Sequence, residues 1–310
     1  NHTLNVGRVQ TPTLKMLVDR DAAITTFKKE KYYHVRLALS GAEAASERIS
    51  NKAEADALKT TCEASRAVCT SLVKEKKTAA PPKLFDLTSL QREANRLFGY
   101  TAKQTLDLAQ ALYEKRLLTY PRTDSAFLTD DMGDTAAGII KLLCGKFSFM
   151  AGKDFTPELG KVLNSKKVSD HHAIIPTVEI TNMDLKALPG GEKEILMLIA
   201  SKLLCASEQE YIYESIKTEI SCHGELFTAS GKNVLQYGWK EVEERFFKSY
   251  GKNAEKPEEE ESDFPDIKIG QVFECVVVKF SEHFTAPPKH YTDVIFCERK
   301  EWIGIEERSS

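Results

Sequence analysis

Long apolar runs are missing from this sequence: no stretch of its 310 residues approaches the roughly 18 apolar positions that a membrane-spanning helix needs. The start, Asn1-His2-Thr3-Leu4, does not read as a secretory signal, because it is not a basic end followed by an apolar stretch. There is no initiator methionine, so the chain is expected to be cut from something longer. Its seven cysteines, at 62, 69, 144, 205, 222, 275 and 297, include no Cys-x-x-Cys pair. That argues against a cysteine zinc site, and scattered thiols in odd number suit a reducing cytosol. The histidines at 2, 34, 223, 283 and 290 show no ligand spacing, so no residue of this chain is expected to hold a metal. Net charge is small, −3, and gives no strong pull toward a polyanion. It is uneven, however: Glu255 to Asp266 holds seven acids and one lysine, −6 in all, which leaves +3 for the other residues.

What is present suits two or three cores of ordinary size, with 42% hydrophobic and 29% charged residues. Residues 8–24 read as a helix with Leu14, Leu17 and Val18 on one face and Pro12 in its first turn. Tyr33, Val35, Leu37 and Leu39 alternate with polar or small residues, which is strand periodicity. Residues 51–64 read as helical and 66–76 as extended, and Ala79-Ala80-Pro81-Pro82 marks a boundary. Then comes a helical block. Thr88-x-x-Gln91 and Thr101-x-x-Gln104 fit capping boxes, Gly99 closes the first helix, and the second runs to about Thr119. Further helices are expected over about 129–144 and 192–207. Strands return over 212–222, where Glu214 and Thr218 interrupt an apolar face, and again around Val272 to Phe280. Residues 251–265 read as an exposed acidic linker. The simplest assembly joins the two strand regions into one β domain with the helical block inserted between them.

The segment Leu112 to Ser125, LYEKRLLTYPRTDS, concentrates chemistry. Pro121 fixes the chain just beyond Tyr120, and in an extended stretch Tyr120 and Arg122 share a face. An ordinary tyrosine hydroxyl, with a pKa of about 10, is a poor nucleophile at neutral pH. A nearby guanidinium favours the phenolate and clamps a phosphate in a forked geometry. Attack on a phosphodiester would then store the bond as a phosphotyrosine.

TYPRTDS resembles the active-site string of type IA DNA topoisomerases, and three other stretches agree in the family's order. These are Asn5 to Thr13 (NVGRVQTPT), Asp170 to Thr177 (DHHAIIPT) and Pro287 to Asp293 (PPKHYTD). The wording is nearest the topoisomerase III branch, and the resemblance covers residues 1 to about 293. It implies that Tyr120 is the nucleophile that bonds to the DNA 5′-phosphate. It further implies that Arg122 steadies that phosphate and His171 helps hold the scissile region. Gly7, Arg8, Gln10 and His172 would contact a single DNA strand. The implied fold is mixed α and β with several domains: a β-rich arch domain from 28–83 and 208–285, and an inserted helical, winged-helix-like domain at 84–207 carrying Tyr120. End pieces at 1–27 and 286–310 would belong to a further helical domain. The family's Toprim domain, which holds Mg²⁺ and a catalytic glutamate, has no counterpart here. Mg²⁺ is therefore expected only in the full-length enzyme, and the chain alone is expected to be catalytically incomplete. Residues 294–310 depart from the family's pattern. The implied setting is the cytoplasm of a prokaryote, on the nucleoid, with single-stranded DNA as partner and no membrane or ATP.

Two rival readings stay open at this level. A non-enzymatic single-strand-binding module would keep the groove, but would not need Tyr120-Pro121-Arg122. A tyrosine recombinase uses a similar adduct of opposite polarity, but needs its arginines and histidine ahead of a tyrosine near the C-terminus, whereas here His171 follows Tyr120.

Overall fold

The computed structural model describes residues 10–63, 65–250, 264–274 and 277–291. In chain order the first elements are α1 (Gln10–Thr25), β1 (Lys31–Leu39), β2 (Ala42–Ser46), α2 (Lys52–Cys62), β3 (Ala67–Ala79), α3 (Leu87–Phe98) and α4 (Ala102–Glu114). There follow α5 (Gly133–Lys146), α6 (Gly190–Ala206), β4 (Tyr211–Cys222), β5 (Glu225–Gln236), α7 (Trp239–Tyr250), β6 (Val272–Phe273) and β7 (Val277–Phe284). The described residues fall into two compact units, one drawn from 1–77, 213–235 and 260–310, the other from 78–212 and 236–259.

The first unit is built on a seven-stranded sheet of order β6-β3-β4-β5-β2-β1-β7, in which the early and late strand regions interleave. The alternation along β1 places Tyr33, Val35, Leu37 and Leu39 in the core. Antiparallel pairing sets Val35 opposite Phe280 of β7 and Leu37 opposite Ala44 of β2. The helix α2, capped by the Asn51 side chain, buries Ala55 and Cys62 in the same core. The polar interruptions of β4 are resolved differently from one another. Thr218 is fully buried beside Ile216 and Ile220, while Glu214 is half-buried 3.6 Å from Lys74. On α1 the expected apolar face is open, with Leu14, Leu17 and Val18 being 62, 43 and 57% exposed. Arg20 ties this helix to the chain beyond β7, donating to the Lys289 carbonyl at 3.2 Å and lying over the Tyr291 ring.

The second unit packs α3 to α7 around one core, with Leu90, Ala94, Ala109, Leu112, Ile140, Leu143 and most of α6 buried. The sequence expectation left residues 239–250 within the later strand region. Instead they form α7, because Val242 and Phe246, one helical turn apart, enter the helical core. The Thr101–Gln104 capping box is present, and Gly99 closes α3 in the left-handed conformation at φ 71°. The other expected box is not the one formed. Asp86 caps α3 with Ser89 as its reciprocal partner, and Gln91 donates instead to the Ala102 carbonyl. The acidic run read as a linker lies, over 251–263, outside the described residues. Among the described residues no helix is long and apolar enough to cross a membrane.

Candidate active site

The helix α4 stops at Glu114, earlier than the expected Thr119. The turn runs through Arg116, whose φ of 61° breaks the helical path. Leu117 and Leu118 then enter the core, and Leu118 bridges Pro176. Residues 119–125 continue in extended form. Pro121, Thr123 and Ser125 point inward, Arg122 and Asp124 are exposed, and Tyr120 is half-buried. This alternation puts Tyr120, Arg122 and Asp124 on one face, as the two-residue spacing predicts.

The segment carrying the two histidines lies alongside, and two threonines that bracket the tyrosine pin it there. The Thr119 amide donates to the Ile175 carbonyl at 3.0 Å. The Thr119 hydroxyl donates to the Ala173 carbonyl at 3.2 Å and accepts from the Ile175 amide at 3.0 Å. The Thr123 hydroxyl donates to the carbonyl of His171 at 2.8 Å and accepts from the Ser125 amide at 3.1 Å. A third extended stretch joins on the other side. The Ile174 amide donates to Phe85 at 2.8 Å, and the Leu87 amide, opening α3, donates to the Thr123 carbonyl at 3.0 Å.

Held this way, the Tyr120 ring meets the His171 ring at a centroid distance of 4.6 Å and an interplanar angle of 51°. Tyr113, from the last turn of α4, meets Tyr120 edge-on at 5.4 Å. Among the described residues the exposed Arg122 guanidinium has neither a hydrogen bond nor an ion pair. Asp124 accepts from Ser169 at 2.8 Å. His172 is turned elsewhere. Its Nδ1 lies 2.8 Å from the Ala173 carbonyl, which can only accept, so that nitrogen carries the proton. Gly7 and Arg8 lie outside the described residues, and Gln10 is the first residue of α1 in the other unit. Among the described residues no group of three or more His, Cys, Asp or Glu side chains forms a metal centre, and Asp124 with its serine partner does not make a Mg²⁺ ligand set.

Sequence reasoning paired Tyr120 with Arg122 and His171, but missed Tyr113 and the threonine clamp. The clamp had a signal: a threonine stands one residue before the tyrosine and another three after it, and β-branched hydroxyl residues are well suited to tying extended strands together.

A half-buried tyrosine thus lies in ring contact with a histidine from a distant segment, with an exposed guanidinium two residues on. Residues 1–298 match the family model for DNA topoisomerase, and the chain belongs to the type IA DNA topoisomerase family. It is 35% identical to DNA topoisomerase 3 of Bacillus licheniformis over 94% of this chain and 41% of that protein. It is 34% identical to DNA topoisomerase 3 of Bacillus subtilis over 94% of this chain and 41% of that protein. Its fold matches that of full-length topoisomerase I from Thermotoga maritima with a TM-score of 0.72 and 26% identity, over 98% of this chain and 49% of that one. The chain thus spans about two fifths of the length of the curated relatives it matches.

Proposed function

We propose that this chain is the tyrosine-bearing part of an enzyme that breaks and rejoins one DNA strand through Tyr120. The Tyr120 phenol oxygen attacks a backbone phosphorus, and the bond from phosphorus to the 3′ sugar oxygen breaks. The product is a 5′-phosphotyrosine and a free 3′-hydroxyl. Since the phosphoester bond is exchanged rather than hydrolysed, the reverse attack reseals the strand without ATP. Between the two steps another strand passes through the gap.

The observation that carries this reading is the 4.6 Å ring contact of Tyr120 and His171, two residues from segments far apart in sequence, with Arg122 exposed on the same face. Arg122 would grip two phosphate oxygens in a fork, and His171 would hold the tyrosine and the scissile phosphate in register. Gly7, Arg8, Gln10 and His172 are assigned to the single strand. The departing sugar oxygen needs a proton, and we assign that acid, together with Mg²⁺, to a Toprim segment of the longer protein. In the same reading the protein works in the cytoplasm on the nucleoid.

The test uses the longer protein. Tyr120→Phe should abolish covalent DNA adducts and leave single-strand binding nearly intact, while Arg122→Lys should lower cleavage more than binding. A covalent adduct that persists in Tyr120→Phe would rule out Tyr120 as the nucleophile, and equal losses of cleavage and binding in Arg122→Lys would make Arg122 a binding residue only.

A further inference from the structure

Past the tyrosine, the same extended segment leads to a second cluster that the cleavage step does not use. Phe127 is half-buried and is not part of the hydrophobic core of its unit. Two lysines from different stretches converge on its ring, Lys167 at 4.7 Å and Lys83 at 5.9 Å from the centroid. Both lysines are exposed, and neither has an ion pair among the described residues. Two cations held over one ring with no carboxylate between them repel each other, and each such contact is worth only about 0.5–1 kcal/mol at an exposed site.

The placement is nevertheless built. Ser125, 4% exposed, has its hydroxyl 3.0 Å from the Lys167 carbonyl and accepts the Phe127 amide at 3.2 Å. The Ala173 amide donates to the Phe127 carbonyl at 2.9 Å. Lys83 stands two residues before Phe85, which bridges Ile174. The strand pairing that seats His171 against Tyr120 therefore also seats Phe127 and both lysines. What would relieve the repulsion is an anion, and what would use a half-buried aromatic ring outside the core beside it is a base.

We infer that Lys83, Phe127 and Lys167 form a subsite for single-stranded DNA next to the cleavage segment. The lysines take backbone phosphates and Phe127 stacks a base. This inference rests on the reading of DNA as the substrate, and it adds a grip on the strand beyond the scissile phosphate.

The experiment measures binding of a fluorescein-labelled 12-nucleotide thymidine oligomer to the 310-residue chain across a range of salt. For a single strand each phosphate contact contributes about 0.7 to the slope of log K against log salt. Lys83→Ala with Lys167→Ala should therefore reduce the slope by about 1.4. A control of equal charge change, Lys103→Ala with Lys141→Ala on exposed positions of α4 and α5, should leave it unchanged. Phe127→Ala should weaken binding about tenfold at fixed salt, in line with loss of one stacked base, and Phe127→Tyr should restore it. These readouts measure binding alone and involve no cleavage step, so the outcome is independent of whether Tyr120 is the nucleophile. An unchanged slope in the lysine pair, an equal fall in the control pair, or no binding by the unsubstituted chain at low salt would each overturn the subsite.

Discussion

Replacing Thr123 by valine removes a hydroxyl while keeping the branched shape of the side chain. Thr123 is 8% exposed, and that hydroxyl serves two partners, the His171 carbonyl at 2.8 Å and the Ser125 amide at 3.1 Å. Losing an ordinary bond costs about 1 kcal/mol, and leaving the buried Ser125 amide without a partner adds about 1–2 kcal/mol. The expected loss is roughly 2–3 kcal/mol, read as a lower urea midpoint at unchanged slope through the fluorescence of Trp239, which lies in the same unit. A second readout reports position rather than stability. The His171 ring sits 4.6 Å from the Tyr120 ring, so its carbon-bound proton signals carry a ring-current shift. That shift should relax toward the value of a free histidine in Thr123→Val and persist in Thr123→Ser, which keeps the hydroxyl. A valine variant within about 0.5 kcal/mol of the original protein, with the His171 signal unmoved, would refute the clamp as the device that seats the histidine.

Asp86→Ala should destabilise the helical unit by about 1 kcal/mol, while Thr88→Ala, inside the first turn of α3, should be neutral or slightly stabilising; thermal melting of the two variants decides which residue is the cap. Gly238→Ala should cost at least about 2 kcal/mol in denaturant titration, because φ is +46° there and a Cβ would fall 2.2 Å from the Glu210 carbonyl oxygen. Lys153, its side chain 9% exposed, lies between Glu208 at 3.5 Å and Glu241 at 2.8 Å, so Lys153→Met should cost about 3 kcal/mol at neutral pH, the loss coming mainly from the buried Glu208 because Glu241 is about a third exposed. Burial pushes the Glu241 carboxyl up, but hydrogen bonds and charge from Lys153 and Arg245 outweigh it and hold the group below the usual carboxylate range. Its contribution is therefore present above about pH 4.3, the value for an unfolded glutamate, and is lost as pH falls through the lowered value, so the gap between Lys153→Met and the original protein should narrow there.

Much of this architecture was legible where local chemistry and tertiary packing agree. The alternation of β1 and the Thr101–Gln104 box are examples, because both depend on neighbours within a few residues. The failures fall where a distant strand decided the outcome. Leu117 and Leu118 extend the apolar pattern of α4, yet pairing with Thr177 and Pro176 draws them into extended form. At α3 two overlapping cap patterns compete, and the helix begins at Leu87, whose amide is held by the Thr123 carbonyl, so Asp86 rather than Thr88 falls at the cap. In the site, the shared face of Tyr120 and Arg122 was readable from their spacing alone. The threonine clamp was signalled only by the two threonines that bracket the tyrosine, and the lysines over Phe127 not at all, because the partners lie in the segments at 83–87 and 167–177.

The central claim is that Tyr120 receives the DNA 5′-phosphate. The most direct measurement traps the covalent adduct of the longer protein on a strand labelled with radioactive phosphate at the cleavage position, digests it with nuclease and trypsin, and sequences the labelled peptide. The account predicts label on the peptide of residues 117–122, carried by Tyr120. Label on any other tyrosine, or an adduct joined through a 3′-phosphate, would contradict it.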